Sequence, residues 1–239
     1  MPILTGSKRP FDRASRTEMA FRREVCRTGR LMYRHGFVVA CEGNLSVRLG
    51  SERILVTPRG AHKGRLTPGD LSVTALNGAT VCGSAQPSSE IGMHLLYYRL
   101  RPDVQAICHA HPPTATGFAA AGRALEELVL PEVVTGLGRI PLAPYGTPGT
   151  SELCASLQSL VKDHDAILLE NHGVVTCGPT LDLAYQRLEI VEHFARILMT
   201  AELLGGPRLL TADAVRRLNH RPIATKAELR KNGEFALIP

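Results

Sequence analysis

Three histidines and one glutamate occupy positions from which a folded chain could bring them onto a single divalent cation. His109-Ala-His111 closes an apolar run, Val104–His109, that reads as a buried strand. Residues two apart in a strand point to the same face, about 7 Å apart along the chain, so both imidazoles can turn toward one ion. A second apolar run, Ala166–Leu169, passes into Glu170-Asn-His-Gly173 and puts His172 where a chain emerges at a sheet edge. Glu90, behind Ser88 and Ser89, adds a carboxylate at the start of a helix. Singly, each has a plainer reading: a hydrogen-bonded core histidine, a turn histidine, an acidic helix N-terminus. Together, imidazole nitrogens and a carboxylate suit a divalent cation of zinc type, which imidazole bonds at about 2.0–2.1 Å and which acts as a Lewis acid.

Two glycine-bearing turns add a second kind of chemistry. Glu42-Gly-Asn-Leu-Ser46 and Thr57-Pro-Arg-Gly60 both lie in the first half of the chain. Backbone N–H groups at such turns, with the Asn44 amide, the Ser88 and Ser89 hydroxyls and Arg59, would cradle an anion at a helix N-terminus. Neither G-x-x-x-x-G-K-[ST] nor G-x-G-x-x-G occurs, so a Walker loop and a dinucleotide fingerprint are excluded.

The elements that must position these groups are legible from period and punctuation. Ser15-Arg-Thr-Glu18 has capping-box spacing and opens a helix that Gly36 ends, with Met19, Val25 and Met32 predicted to face inward. Leu45, Val47 and Leu49 alternate with polar residues, Arg53–Val56 follows a Gly-Ser turn, and Leu71–Leu76 precedes Asn77-Gly78, a hairpin signal. Ser88 or Ser89 caps a helix to about Leu100, and a further helix fits between Pro112-Pro113 and Gly122. Strands at Ile140–Ala143 and Ala166–Leu169 flank a helix over Thr150–Val161, a long amphipathic helix spans Thr180–Leu204, and a short one lies near 211–219. Strands and helices mix without a regular βαβ period, which favours an α/β protein with a mainly antiparallel or mixed sheet between helix layers. A basic tail at 1–14, a catalytic domain at 15–205 and an extension at 206–239 make up the expected organisation.

Composition narrows the class. With 239 residues, 44% of them hydrophobic, the chain can bury one substantial core. The net charge of +6 accommodates anionic ligands, but with 5% aromatics and no Trp, stacking platforms for nucleic acid are scarce. No apolar run approaches the roughly 20 residues of a membrane span, and the first residues lack a signal-peptide h-region, so a soluble cytoplasmic protein is expected. Six cysteines without C-x-x-C spacing read as reduced, mostly buried small hydrophobes.

In order along the chain, Glu42-Gly-Asn-Leu-Ser-Val-Arg48, Thr57-Pro-Arg-Gly60, Ser88-Ser-Glu90, His109-Ala-His-Pro112, Ala143-Pro-Tyr-Gly-Thr-Pro-Gly-Thr150 and Glu170-Asn-His-Gly173 resemble the class II aldolase/adducin family, and within it the L-fuculose-phosphate aldolase-like enzymes. The resemblance covers roughly residues 15–205. It implies a single α/β/α domain with a central, mainly antiparallel nine-stranded sheet, assembled as a C4 homotetramer with active sites at subunit interfaces. It implies one Zn2+ per subunit, or another divalent ion such as Mn2+, on His109, His111 and His172, with Glu90 as a fourth ligand that moves off to act as base. Gly43, Asn44, Gly60, Ser88 and Ser89 match the phosphate site, and Arg59 stands where those aldolases usually carry a smaller hydroxyl residue. The activity implied is cleavage of a ketose 1-phosphate to dihydroxyacetone phosphate and an aldehyde through a zinc-stabilised enediolate. Decarboxylation of a hydroxy or oxo acid and sugar-phosphate 4-epimerisation pass through the same kind of intermediate. Adducin uses the fold as a structural module, but a scaffold has no need of the three histidines and Glu90. One departure stands out: residues 128–138, where the aldolases carry a proton-donating tyrosine from a neighbouring subunit, contain none, leaving Glu132 or a water for that step.

Overall fold

The computed structural model describes residues 13–83 and 85–219. Its backbone is one eight-stranded sheet in the order β4-β3-β2-β1-β5-β8-β7-β6. The strands are β1 Asn44–Leu49, β2 Arg53–Val56, β3 Ser72–Ala75, β4 Thr80–Cys82, β5 Ala106–Ala110, β6 Leu142–Ala143, β7 Ala166–Leu169 and β8 Gly173–Gly178. All neighbours are antiparallel except β6 and β7. The helices are α1 Arg13–Arg34, α2 Ile91–Leu100, α3 Pro113–Ala120, α4 Pro131–Gly136, α5 Ser151–Leu157, α6 Leu181–Leu203 and α7 Ala212–Asn219.

Period 2 along the strands divides the core into two layers. Leu45, Val47, Cys108, Leu168 and Val174 face one cluster with Val25 and Met32 of α1 and Leu188, Val191 and Leu198 of α6. Ile54, Ile107, Ile167, Val175 and Cys177 face the other, with Met93 and Tyr97 of α2 and Leu153 and Leu157 of α5. On α1, Val25, Thr28 and Met32 are buried at helical spacing, and Gly36 at φ +70° turns the chain out of the helix. Thr180 caps α6 by accepting from the Leu183 N–H at 3.1 Å. No described helix is long and apolar enough to cross a membrane.

Several expectations need correction. Eight strands are formed among the described residues, not nine; Leu125 and Ile140 pair only as an isolated antiparallel bridge beside β6 and do not extend into a ladder. Helix α1 runs from Arg13, two residues before the expected start at Ser15, and residues 1–12 lie outside the described residues. Met19 is 42% exposed instead of inward. Helix α2 begins at Ile91 with Glu90 as N-cap, so neither Ser88 nor Ser89 is its cap; the Ser88 hydroxyl instead accepts from the Glu90 N–H at 3.3 Å. Helix α4 and strand β8 were not anticipated. The part of the C-terminal extension that is described folds back onto the domain: Leu210 donates to the Leu128 carbonyl at 2.8 Å and α7 packs on α4. Residues 220–239 lie outside the described residues. Cys26, Cys108 and Cys177 are buried, Cys154 is half-buried, Cys41 and Cys82 are exposed, and all six are free thiols.

Candidate metal centre

The register of three strands assembles the site. Asn44 opens β1 opposite His109 near the end of β5, and His109 in turn lies opposite Val175 near the start of β8. His111 follows directly after β5, and His172 ends the tight turn from β7 into β8, where Asn171 takes φ +53°. Glycine is required at both flanks. At Gly43, with φ +66°, a Cβ would lie 2.6 Å from the His109 carbonyl, and at Gly173 one would lie 2.5 Å from both the Ala110 carbonyl and the His111 ring. Glu192 of α6 completes the frame: its buried carboxylate accepts from the Thr114 and Ala115 N–H groups and holds the first turn of α3 just after His111.

Ligand atoms of His109, His111 and His172 all lie within 4.8 Å of one another. The Glu90 carboxylate reaches the same point, with Oε2 3.1 Å from His109 Nε2 and Oε1 3.2 Å from His172 Nε2. His109 donates from Nδ1 to the Val174 carbonyl at 2.9 Å, which turns its Nε2 inward as a free lone pair. Glu90 Oε1 and His172 Nδ1 are buried without a hydrogen-bond partner. Three imidazoles crowded around a carboxylate with an orphaned oxygen fit a divalent cation, which would take one nitrogen from each ring and the free Glu90 oxygen.

Electrostatics agree with that fit. Burial pushes the His111 ring down, and the neighbouring His109 and His172 push it further, to about 4, so it is a neutral donor at neutral pH. Burial alone would raise the Glu90 carboxyl, but the adjacent His109 and His172 rings outweigh it and hold the group ionised, below the usual carboxylate range.

Behind Glu90 runs a buried chain of hydrogen bonds. Asn44 Nδ2 donates to Glu90 Oε2 at 2.8 Å, and Asn44 Oδ1 pairs with His94 Nε2. His94 Nδ1 meets Ser46 Oγ at 2.6 Å, which meets the Tyr98 hydroxyl at 2.8 Å. Burial lowers His94 to about 3, so the ring is neutral and one of its nitrogens donates. His94 stands four residues after Glu90, one turn along α2, a spacing that could have flagged it in the sequence.

All the residues expected to cradle an anion line one cavity of about 140 Å³: Gly43, Asn44, Arg59, Gly60, Ser88 and Ser89, with Glu90 and His111 at its metal side. An isolated bridge between Pro58 and Pro87 ties the Thr57–Gly60 turn to the segment that carries Ser88 and Ser89, reinforced by Ser88 N–H donating to the Thr57 carbonyl at 3.2 Å. Asn44 spends its side chain on Glu90 and His94 and so differs from the expectation of a free amide. Sequence reasoning missed Lys63 in this wall, and also Glu42, whose Oε2 lies 3.3 Å from His111 Nδ1. Glu132, suggested as a proton donor, is an exposed residue in the first turn of α4.

A family model for the class II aldolase and adducin N-terminal domain matches residues 23–199. The chain belongs to the class II aldolase and adducin family. It is 33% identical over 210 residues to the 3-oxo-tetronate 4-phosphate decarboxylase of Escherichia coli K12, covering 85% of this chain and 97% of that protein. It is 34% identical over 174 residues to an L-fuculose phosphate aldolase of Methanococcus maripaludis, covering 73% of this chain and 93% of that one. Among solved structures, the YgbL protein of Escherichia coli superposes with a TM-score of 0.79 at 32% identity over 85% of this chain and 99% of that one. Family membership accounts for the mainly antiparallel sheet between helix layers; the family is divalent-metal dependent, and His109, His111 and His172 form a cluster that could hold such an ion.

Proposed function

We propose that this enzyme is a metal-dependent carbon–carbon lyase acting on a phosphorylated hydroxycarbonyl compound. The observation that carries the reading is the three-histidine cluster with Glu90, set beside a cavity walled by glycine turns, two serines and Arg59. His109, His111 and His172 hold the cation, zinc or another ion such as manganese, and Glu90 is its neighbour and the proton carrier. When bound, the cation supplies Lewis-acid polarisation of the substrate's ketone oxygen. Ser88, Ser89, Gly43, Gly60 and Arg59 take the phosphate, fixing the ketone end of the substrate toward the histidines. Asn44, oriented by His94, holds Glu90 Oε2, leaving Oε1 to move protons.

Two reactions fit this arrangement, and both break the bond next to the carbon that bears a hydroxyl beside the ketone. The electron pair left behind delocalises as an enediolate, which takes a proton at carbon to give dihydroxyacetone phosphate. In decarboxylation of a 3-oxo acid phosphate the departing fragment is carbon dioxide, and no proton need move on an oxygen of that fragment. In aldol cleavage the departing fragment is an aldehyde, and its hydroxyl must first lose a proton. Decarboxylation is the first reading: it is supported by the decarboxylase relative, which the chain spans almost end to end, and by the tyrosine-free stretch at 128–138. Aldol cleavage, placed first by the sequence motifs, is supported by the fuculose-phosphate aldolase relative. The assembly that goes with either is a cytoplasmic homotetramer with sites at subunit interfaces. The deciding experiment incubates metal-loaded enzyme with 3-oxo-tetronate 4-phosphates and with ketose 1-phosphates, reading dihydroxyacetone phosphate, carbon dioxide and aldehyde side by side. Dihydroxyacetone phosphate from neither class would reject the proposal.

A further inference from the structure

Lys63 is the one charged residue in the cavity wall that neither the motifs nor the metal chemistry accounts for. It opens a short 3-10 turn, Lys63–Arg65, and is only 1% exposed. Its backbone is tightly located: a Cβ on Gly29 of α1 would come within 3.0 Å of the Lys63 carbonyl. On the other side the His62 ring accepts from the Gly64 N–H at 3.1 Å and packs at a tilt against the Tyr33 ring, centroids 4.6 Å apart. The ammonium is pinned as well, donating to the Cys41 carbonyl at 3.0 Å and the Ala61 carbonyl at 2.6 Å.

Both partners are neutral. An ammonium has three donors, and these bonds use two of them. The carboxylates that share the cavity act on Lys63 only at a distance, their direct partners being His111 for Glu42 and His109 and His172 for Glu90. Among the described residues no carboxylate lies within ion-pairing distance of Lys63 or of Arg59. A buried charge is costly unless something compensates it. The compensation that this wall offers room for is a ligand anion in the cavity.

We propose that Lys63 is the fixed countercharge of the anion pocket and, with Arg59 at the rim, selects a dianionic phosphoryl group over a monoanionic carboxylate. The inference rests on the phosphorylated-substrate reading above and adds the residue that enforces it. Lys63 works as a point charge at the pocket floor, while the serines and backbone N–H groups supply direction.

Isothermal titration of inorganic phosphate and of acetate into the metal-loaded enzyme at pH 7 and fixed ionic strength tests this. Wild type is expected to bind phosphate at least tenfold tighter than acetate. Lys63→Met should weaken phosphate at least tenfold, leave acetate and bound metal unchanged, and melt no lower than wild type without phosphate, because it removes an unpaired buried charge. A merely structural lysine would show the opposite, a lower melting temperature with phosphate affinity retained. Should Lys63→Met fail to fold, Lys63→Gln carries the same comparison. Phosphate affinity within twofold of wild type in the folded variant overturns the role of Lys63 and leaves the phosphate reading intact, whereas a wild type that ignores phosphate overturns both.

Discussion

The same central strands carry a polar cluster at each end, and the two differ in how completely they satisfy themselves. At the starts of β5 and β7 and the end of β8, Arg101 makes bonds of 2.9 and 2.7 Å to Asp103 and of 2.8 Å to Asp165, while Arg187 from α6 closes on the other oxygen of Asp165. Arg101 and Arg187 also donate to the Val161 and Cys177 carbonyls. Two guanidinium groups thus face two carboxylates, an arrangement that is charge-balanced within the protein. At the opposite end, Glu90 Oε1 and His172 Nδ1 are without partners, and among the described residues neither Lys63 nor Arg59 has a carboxylate within ion-pairing distance. A cluster that completes itself serves the fold; one that leaves charge and lone pairs open beside a cavity is set up for a ligand.

The largest expected contrast comes from removing a histidine at the open end. His172→Ala should retain the fold but lose its stoichiometric divalent metal, and with it all detectable turnover; elemental analysis of the purified variant gives the answer, and one tightly held ion per subunit would dismantle the proposed centre. Next, Glu90→Gln keeps size and the contact to Asn44 while removing the proton carrier. Turnover should fall by about a hundredfold or more with the metal still bound, as steady-state rates on the true substrate would show.

The closed end should respond in the reverse sense. Asp165→Asn breaks the shared anchor of two arginines, so stability should drop by about 1–3 kcal/mol in denaturant titrations while kcat/KM stays near wild type. A large activity loss without destabilisation would remove the distinction between the two ends. A smaller effect is expected behind the site: His94→Leu interrupts the Tyr98–Ser46–His94–Asn44 chain and should cost about tenfold in kcat with metal content preserved. A value equal to wild type would show that Asn44 holds Glu90 unaided.

The last test is a pH dependence. Burial lowers Lys63 to about 8 in the fold, against about 10.4 in an unfolded chain. Between these values the unfolded state binds more protons, so the contribution of Lys63 makes the protein more stable as pH rises across that window. Melting temperatures of wild type minus those of Lys63→Met, measured without phosphate from pH 7 to 10.5, should therefore climb; a flat difference would mean that Lys63 is not held as a strained cation.

Much of this was legible before any coordinates. Short apolar runs after turn signals mark β2 and β7 at the residues where they occur, and proline and glycine punctuation for α3 and amphipathic period for α6 locate those helices to within a residue or two. Strand β8 escaped because Gly173–Gly178, buried on both faces, has no alternation to read, and α4 because six residues carry too little helical period. The three histidines, Glu90 and the anion turns were recognisable as residue types in ordered motifs, since metal and anion chemistry restrict which side chains can serve.

What the sequence by itself determined is therefore the chemical inventory: which ligands exist, which turns can approach an anion, and most of the segments that are strand or helix. The tertiary structure decided how that inventory is shared. Strand register set Asn44 beside His109, and the packing of α1 against the 3-10 turn buried Lys63, a residue that in the string Ala61-His-Lys-Gly64 looks like any solvated loop cation. Burial and pairing are properties of what surrounds a side chain from distant parts of the chain, so no local pattern could have told the open charge of Lys63 from the closed pairs of Arg101.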